Sequence, residues 1–212
     1  MKKNKILVIL SFLLIVVLFL LISFYMQDNS ERIRELIGGN FNGALLYILI
    51  LILSIVFAPV SSIPLIPVAS MLWGWVIAGT LSIIGWTIGS VIAFYISKKY
   101  GQPVVRKFVS IEKINKIDEL VPEKNLFLWI VFLRIVIPTD ILSYALGLLK
   151  RIDGKSYLLG TLVGIAPFAF IFAYVGELSL NNQMIVFLIF TSIALLYFLV
   201  RQLTRNVKRQ QV

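Results

Sequence analysis

Arg134 and Asp140 stand on either side of Pro138, inside an otherwise apolar stretch running from Leu126 to Leu149. A charge near the centre of a bilayer costs at least ~2.5–3.5 kcal/mol, so each of these residues is expected to face a partner or water. Their chemistries differ. A guanidinium keeps its charge and grips a phosphate through two parallel N–H donors. A carboxylate can neutralise that guanidinium when no substrate is present, or carry a proton if desolvation raises its pKa. The plain structural alternative is an ion pair across the proline break. Helix ends freed at Pro138 expose backbone N–H groups that favour an anion. Thr139 adds a hydroxyl there, and Ser61 and Ser62 add two more in a second proline-rich stretch; the alternative role for each is a local helix cap. The chain contains no Cys and no His. Thiolate chemistry is thereby excluded, and the commonest general base and metal ligand are missing. No catalytic residue, metal site or cofactor is predicted, and the protein is not expected to be an enzyme.

The elements that position these residues follow from composition. Of 212 residues, 59% are hydrophobic and 14% are charged, against about 25% charged in an average soluble domain. Mean hydropathy is +0.96. Such a chain cannot cover a soluble surface with polar groups, which leaves an all-α integral membrane protein. The net charge of +10 is assigned to cytoplasmic loops, not to nucleic-acid binding. Ile6 to Met26 reads as a retained first span, and Gln27 to Gly43 as an external loop. Ala44 to Met71 is broken by Pro59, Pro64 and Pro67, which cannot all sit inside one helix. Val76 to Ser97 reads as a span. Apolar residues at helical spacing between Pro103 and Pro122 predict an amphipathic helix on the inner membrane face. The arms flanking Pro138 are each too short to cross ~30 Å of hydrocarbon. Tyr157 to Val175 and Met184 to Val200 are two further spans, followed by a basic tail.

The positive-inside rule selects among topologies. If both proline-broken segments are re-entrant hairpins, every Lys and Arg except Arg32, Arg34 and Arg134 falls on the cytoplasmic side. If the second segment crossed once, the basic residues would divide almost evenly. The expected architecture is therefore four full transmembrane helices plus two oppositely inserted re-entrant helical hairpins, with both termini cytoplasmic. Residues 1–43 form the first helix and external loop, 44–183 the core, and 184–212 the last helix and tail.

The two halves also resemble one another. Each has a proline-broken segment followed by a span with a GxxxG pair, Gly85 and Gly89 in the first and Gly160 and Gly164 in the second. Such glycines let helix backbones approach closely. Inverted repeats with broken helices are the mark of many secondary transporters, with a site at the repeat interface.

These motifs carry a family resemblance. Pro67 to Gly74, Gly79-Thr80, Gly85, Gly89 and Phe94 to Gly101 form one block; Phe132 to Ile152, Gly160-Thr161, Gly164, Pro167 and Tyr174 to Gly176 form the other. The chain resembles the DedA superfamily, also called SNARE-associated Golgi or VTT-domain proteins, over about residues 55–180. The arginine before the proline and the following Tyr-Ala-x-Gly stretch are similar to the yeast Tvp-type branch. The resemblance implies paired re-entrant hairpins and a lipid-handling role, with Arg134 matching the family's hairpin arginine. The chain departs from the bacterial members at two places: residues 54–72 hold no acid, and Ile141 stands where a second arginine is usual.

The expected function is a lipid translocase or scramblase, acting on phospholipid or polyprenyl-phosphate carrier lipid, with a headgroup site at the hairpin tips. Two alternatives stand beside it, a non-transporting membrane scaffold and an ion-coupled small-solute exchanger using Asp140. The expected partners are membrane lipids with phosphate-bearing headgroups, with a second copy of the chain admissible and nucleic acid excluded. The expected location is a bacterial plasma membrane.

Overall fold

The computed structural model describes residues 2–29, 31–32, 35, 40–57, 61–101, 125–136, 139–149 and 151–193, with the backbone alone at 2–9, 11–12 and 139–141. Pro59, Pro138, the side chains of Thr139 and Asp140, the stretch read as an amphipathic helix and the basic tail lie outside the described residues. Every described element is helical: α1 (Lys2–Asp28), α2 (Phe41–Val56), a 3₁₀ turn (Ile63–Leu65), α3 (Ile66–Tyr100), α4 (Leu126–Val136), α5 (Thr139–Gly147), α6 (Gly154–Glu177) and α7 (Leu180–Ile193). Ile63–Tyr100 and Gly154–Glu177 are long and apolar enough to cross a membrane. At 1.5 Å per residue the 24 residues of α6 reach roughly 36 Å, whereas the 11 of α4 reach roughly 17 Å.

Local chemistry explains the element ends. Asn40 caps α2 by accepting the Gly43 N–H at 3.0 Å. Asp153 caps α6 by accepting from Ser156 N–H at 2.9 Å and Lys155 N–H at 3.0 Å. The Ser156 amide, with that of Lys155, holds the Asp153 carboxyl below the usual carboxylate range. Pro64 and Pro67 sit in the first turns of the 3₁₀ turn and of α3, where a missing N–H costs no helical bond. They open these helices, and the break within α3 falls at Gly74, with φ 77° and ψ 158°. That conformation is essentially restricted to glycine.

The contacts give each element a direction. Gly85 of α3 lies against Leu51 and the Ile48 carbonyl of α2, and Gly89 lies against Ile52 and Ile55. Gly160 of α6 lies against Ile130 and the Phe127 carbonyl of α4, and Gly164 lies against Arg134 and the Val131 carbonyl. In both pairs the numbers rise together, so each short helix runs parallel to the long helix that follows it. The two long helices run antiparallel. Trp75 meets Glu177, Gly79 meets Phe170, Ser90 meets Tyr157 and Tyr95 meets Gly154. The halves are thus an inverted repeat in space, with Gly85 and Gly89 equivalent to Gly160 and Gly164, and Ile55 equivalent to Arg134.

Both halves fold back at a glycine. Ser62 accepts a hydrogen bond from the Trp86 indole at 2.9 Å, so the chain before Gly74 returns alongside the chain after it. In the second half α5 returns from the tip to Gly147, which presses on the Phe94 carbonyl and on Ser97 of α3. The halves meet here, because the Tyr144 hydroxyl of α5 donates to the Val56 carbonyl at the end of α2. Leu51, Ile55, Phe94, Ile130, Leu133 and Tyr144 fill the space between, all fully buried or nearly so. The outward faces carry Leu45, Leu46 and Leu49 on α2, Ile84, Ile88 and Ile92 on α3, and Leu158, Leu159 and Leu162 on α6, all exposed. A contiguous apolar exterior around a core holding serines and an arginine is the pattern expected of a chain surrounded by lipid.

Candidate functional site at the second hairpin tip

Arg134 occupies the last turn of α4 and is 3% exposed. The absence of a Cβ at Gly164 lets α4 come close enough to α6 to place it there: an added Cβ would lie 2.6 Å from Arg134 Cβ. Its guanidinium fans out across two helices. Nη2 donates to the Tyr157 hydroxyl at 2.6 Å and to Thr161 Oγ1 at 2.9 Å, Nε donates to Thr161 Oγ1 at 3.3 Å, and Nη1 donates to Ser143 Oγ at 3.2 Å. The guanidinium carbon also lies 5.3 Å from the Tyr157 ring centroid. Hydrogen bonds to a charged donor contribute about 1.5–3 kcal/mol each, and leaving such a group unmet is more costly still.

Tyr157 ties this cluster to the other half. Its hydroxyl donates to the Ser90 carbonyl of α3 at 2.9 Å while accepting from Arg134. Its ring stacks on Phe94 at 4.0 Å between centroids, 18° between planes. A phenol that accepts from a cation and donates to a carbonyl uses both of its hydrogen-bonding capacities. Three hydroxyls converging on one guanidinium present oxygen acceptors much as a phosphate would, and a phosphate could replace them one for one.

The structure brings some of the predicted site residues to one level and leaves others apart. Ser62, 6% exposed, lies at the first tip and is held by Trp86, one turn of α3 from Ser90. Ser61 is half-buried beside it. Ser62 and Arg134 therefore lie at the same height without a hydrogen bond between them. Asp140 and Thr139 begin α5 next to this cluster, and their side chains lie outside the described residues. Sequence reasoning missed Tyr157, Ser143 and Thr161 as partners of Arg134. Tyr157 looks like the start of an ordinary span, and nothing in helical spacing links it to a residue at the end of a different helix. Glu177, the last residue of α6, accepts the Trp75 N–H at 2.9 Å. This is the first free amide after the Gly74 break, so the carboxylate caps the second arm of α3 and meets the positive end of its dipole.

Among the described residues no group of three His, Cys, Asp or Glu could hold a metal ion. No curated protein and no solved structure matches the chain. The model of one family, the VTT domain, does match, over residues 58–178, a span that includes the Gly74 elbow, both glycine pairs, Arg134 and Glu177. With more than half of its length accounted for by that match, the chain belongs to the VTT-domain family of membrane proteins, the DedA/SNARE-associated Golgi protein family.

Proposed function

We propose that this protein moves phosphate-bearing lipids between the leaflets of a plasma membrane, without chemical conversion, and that Arg134 binds the headgroup phosphate. The observation that carries the reading is a buried guanidinium at a hairpin tip, level with Tyr157 and Thr161 in the first third of α6 and, through Tyr157, with Ser90 near the middle of the α3 arm after Gly74, where two inverted halves meet. Helices of 11 and 9 residues that turn back at that depth suit a re-entrant hairpin, and α2 with the arm before Gly74 suits a second one entering from the opposite face. With α1, residues 75–100, α6 and the helix that starts at Leu180 as full spans, the basic segments lie on the cytoplasmic side together with both termini. The polar cluster would then sit near the bilayer midplane, where a headgroup crossing between leaflets needs compensation.

Lipid transfer in liposomes tests the reading, comparing the natural chain with Arg134→Ala and Arg134→Lys at equal folded amounts. Expected is transfer of phospholipid or polyprenyl phosphate by the natural chain, a loss of at least tenfold in Arg134→Ala and partial retention in Arg134→Lys. Transfer no faster than in protein-free vesicles, for both lipid classes, would refute it. One observation favours a second reading. The hydroxyls of Ser143, Tyr157 and Thr161 already engage Arg134, as they would in a purely structural tie within a membrane scaffold. In that case the Arg134→Ala phenotype follows protein abundance alone.

A further inference from the structure

Two side chains in the middle of α3 are buried without a hydrogen-bond partner. Thr87 is 6% exposed and Ser90 is fully buried, and neither Thr87 Oγ1 nor Ser90 Oγ meets a donor or acceptor among the described residues. The other serine and threonine hydroxyls of α3 behave differently. Ser70 and Thr80 bond back to the carbonyls of Ile66 and Val76, Ser82 pairs with Tyr47, and Ser97 donates to the Tyr144 carbonyl. Bonding to the carbonyl four residues back is the easy solution for a serine or threonine within a helix. Thr87 and Ser90 forgo it, on the same helix and one turn apart. A buried polar group left unmet is costly and calls for a physical explanation.

Their position supplies one. The Ser90 carbonyl takes the Tyr157 hydroxyl at 2.9 Å, and that hydroxyl takes Arg134 Nη2 at 2.6 Å. Thr87 lies beside Trp86, which holds the first tip through Ser62. Ser90 therefore stands on the α3 side of the cluster, across Tyr157 from the guanidinium, and Thr87 stands one turn before it on the same helix. In the inverted half their equivalents are Leu162 and Ile165, so the repeat architecture does not itself require hydroxyls there.

We propose that Thr87 and Ser90 form the second half of an oxyanion site shared with Arg134: Arg134 binds one side of a phosphate group, and the two hydroxyls donate to its remaining oxygens once Tyr157 swings out from between them. This rests on the phosphate reading of Arg134 and adds the α3 wall to it. Tyr157 holds the site closed, with its own hydroxyl taking the place of a phosphate oxygen. The ligand chemistry is a phosphate monoester or diester, on a lipid or free.

The test measures thermal unfolding of the full-length protein in detergent, with and without short-chain phosphatidylglycerol or inorganic phosphate. The natural chain is compared with Thr87→Val/Ser90→Ala, which keeps shape and removes both hydroxyls, and with Thr87→Ser, which keeps the hydroxyl. Without ligand, the double variant is expected to unfold at the same temperature as the natural chain or higher, because two unmet groups are gone. The stabilisation by short-chain lipid is expected to require at least tenfold more lipid in the double variant, and to persist in Thr87→Ser. A response to inorganic phosphate that disappears in the double variant supports the site and assigns it to the free ion. A double variant that is less stable without ligand, yet responds to lipid like the natural chain, overturns the proposal, because the hydroxyls are then structural groups satisfied by water. A natural chain that responds to neither ligand overturns it as well. Lipid-induced stabilisation without transfer in liposomes refutes the transfer reading and leaves the site standing.

Discussion

The two halves share a skeleton and differ in what that skeleton holds. In each, a short helix lies parallel to a long one across a glycine pair, and the chain turns back at a further glycine. The equivalent positions diverge at the tip. Ile55 packs on Gly89 where Arg134 packs on Gly164, Trp86 stands where Thr161 stands, and Ser82 stands where Tyr157 stands. The first half meets its polar needs with neutral pairs, Tyr47 with Ser82 at 2.8 Å and Trp86 with Ser62 at 2.9 Å. The second concentrates hydrogen bonds on one buried cation. Small residues preserve the architecture in both halves, while the charge that suits a function is confined to one. Within lipid the hydrophobic effect does not drive helices together, so close backbone approach must do so, and that constraint is common to the halves.

The comparison is broken most severely at the elbows. Gly147→Ala would put a methyl group inside the Phe94 carbonyl, which is backbone and cannot turn away. A cost of about 3 kcal/mol, at the upper end for overpacking, is expected, visible as loss of folded protein by size-exclusion chromatography. The matching elbow fails for another reason. Around Gly74 there is open space, but φ of 77° with ψ of 158° strains any side-chain-bearing residue, so Gly74→Ala is expected to cost about 1–3 kcal/mol.

Next comes the tip. Arg134→Ala leaves Thr161 and Ser143 without their donor and opens a cavity, with an expected loss of about 3 kcal/mol. Arg134→Ile copies the first half's residue at the equivalent position. It fills more of the space, and is expected to keep more of the folded protein than Arg134→Ala while abolishing lipid transfer equally. Stability and transfer falling together across both variants would mean that the arginine only holds the fold.

The smaller effects sharpen the contrast. Trp86→Phe removes the donor to Ser62 while keeping most of the ring, and about 1 kcal/mol is expected from denaturant unfolding, with transfer rates unchanged. Glu177→Ala removes the carboxylate that receives the Trp75 amide. About 1 kcal/mol is the usual worth of a helix cap, and Glu177→Gln, which can still accept, should recover most of it.

Much of the skeleton was legible in the residues. Gly85, Gly89, Gly160 and Gly164 carried the close contacts expected of their spacing, and Arg134 stood out because a charge in an apolar stretch needs a partner. The partner's identity was not legible. Tyr157 and Thr161 reach Arg134 only because α4 and α6 lie side by side, and Ser143 only because α5 turns back, relations that local periodicity does not encode. Pro64 and Pro67 drew attention as interruptions, yet a proline in a first turn begins a helix as readily as it ends one, and the kink lies at Gly74. The role of Glu177 was not legible either, because its partner is a main-chain amide more than a hundred residues away, exposed by that kink.

An inverted repeat has no inherent up or down, since turning it over exchanges one half for the other. The two elbows remove that ambiguity. A carboxylate, Glu177, closes the one at Gly74, and an ammonium, Lys98, closes the other by donating to the Ile152 carbonyl at 2.8 Å. The fasteners carry opposite sign and sit at opposite ends of the antiparallel pair of long helices. In the topology proposed above, a chain inserting the wrong way would have to bring the lysine through the membrane and leave the acid behind. In that topology, the same two contacts that hold the elbows shut would also act as a compass, aligned with the charge bias that the membrane itself imposes on basic residues.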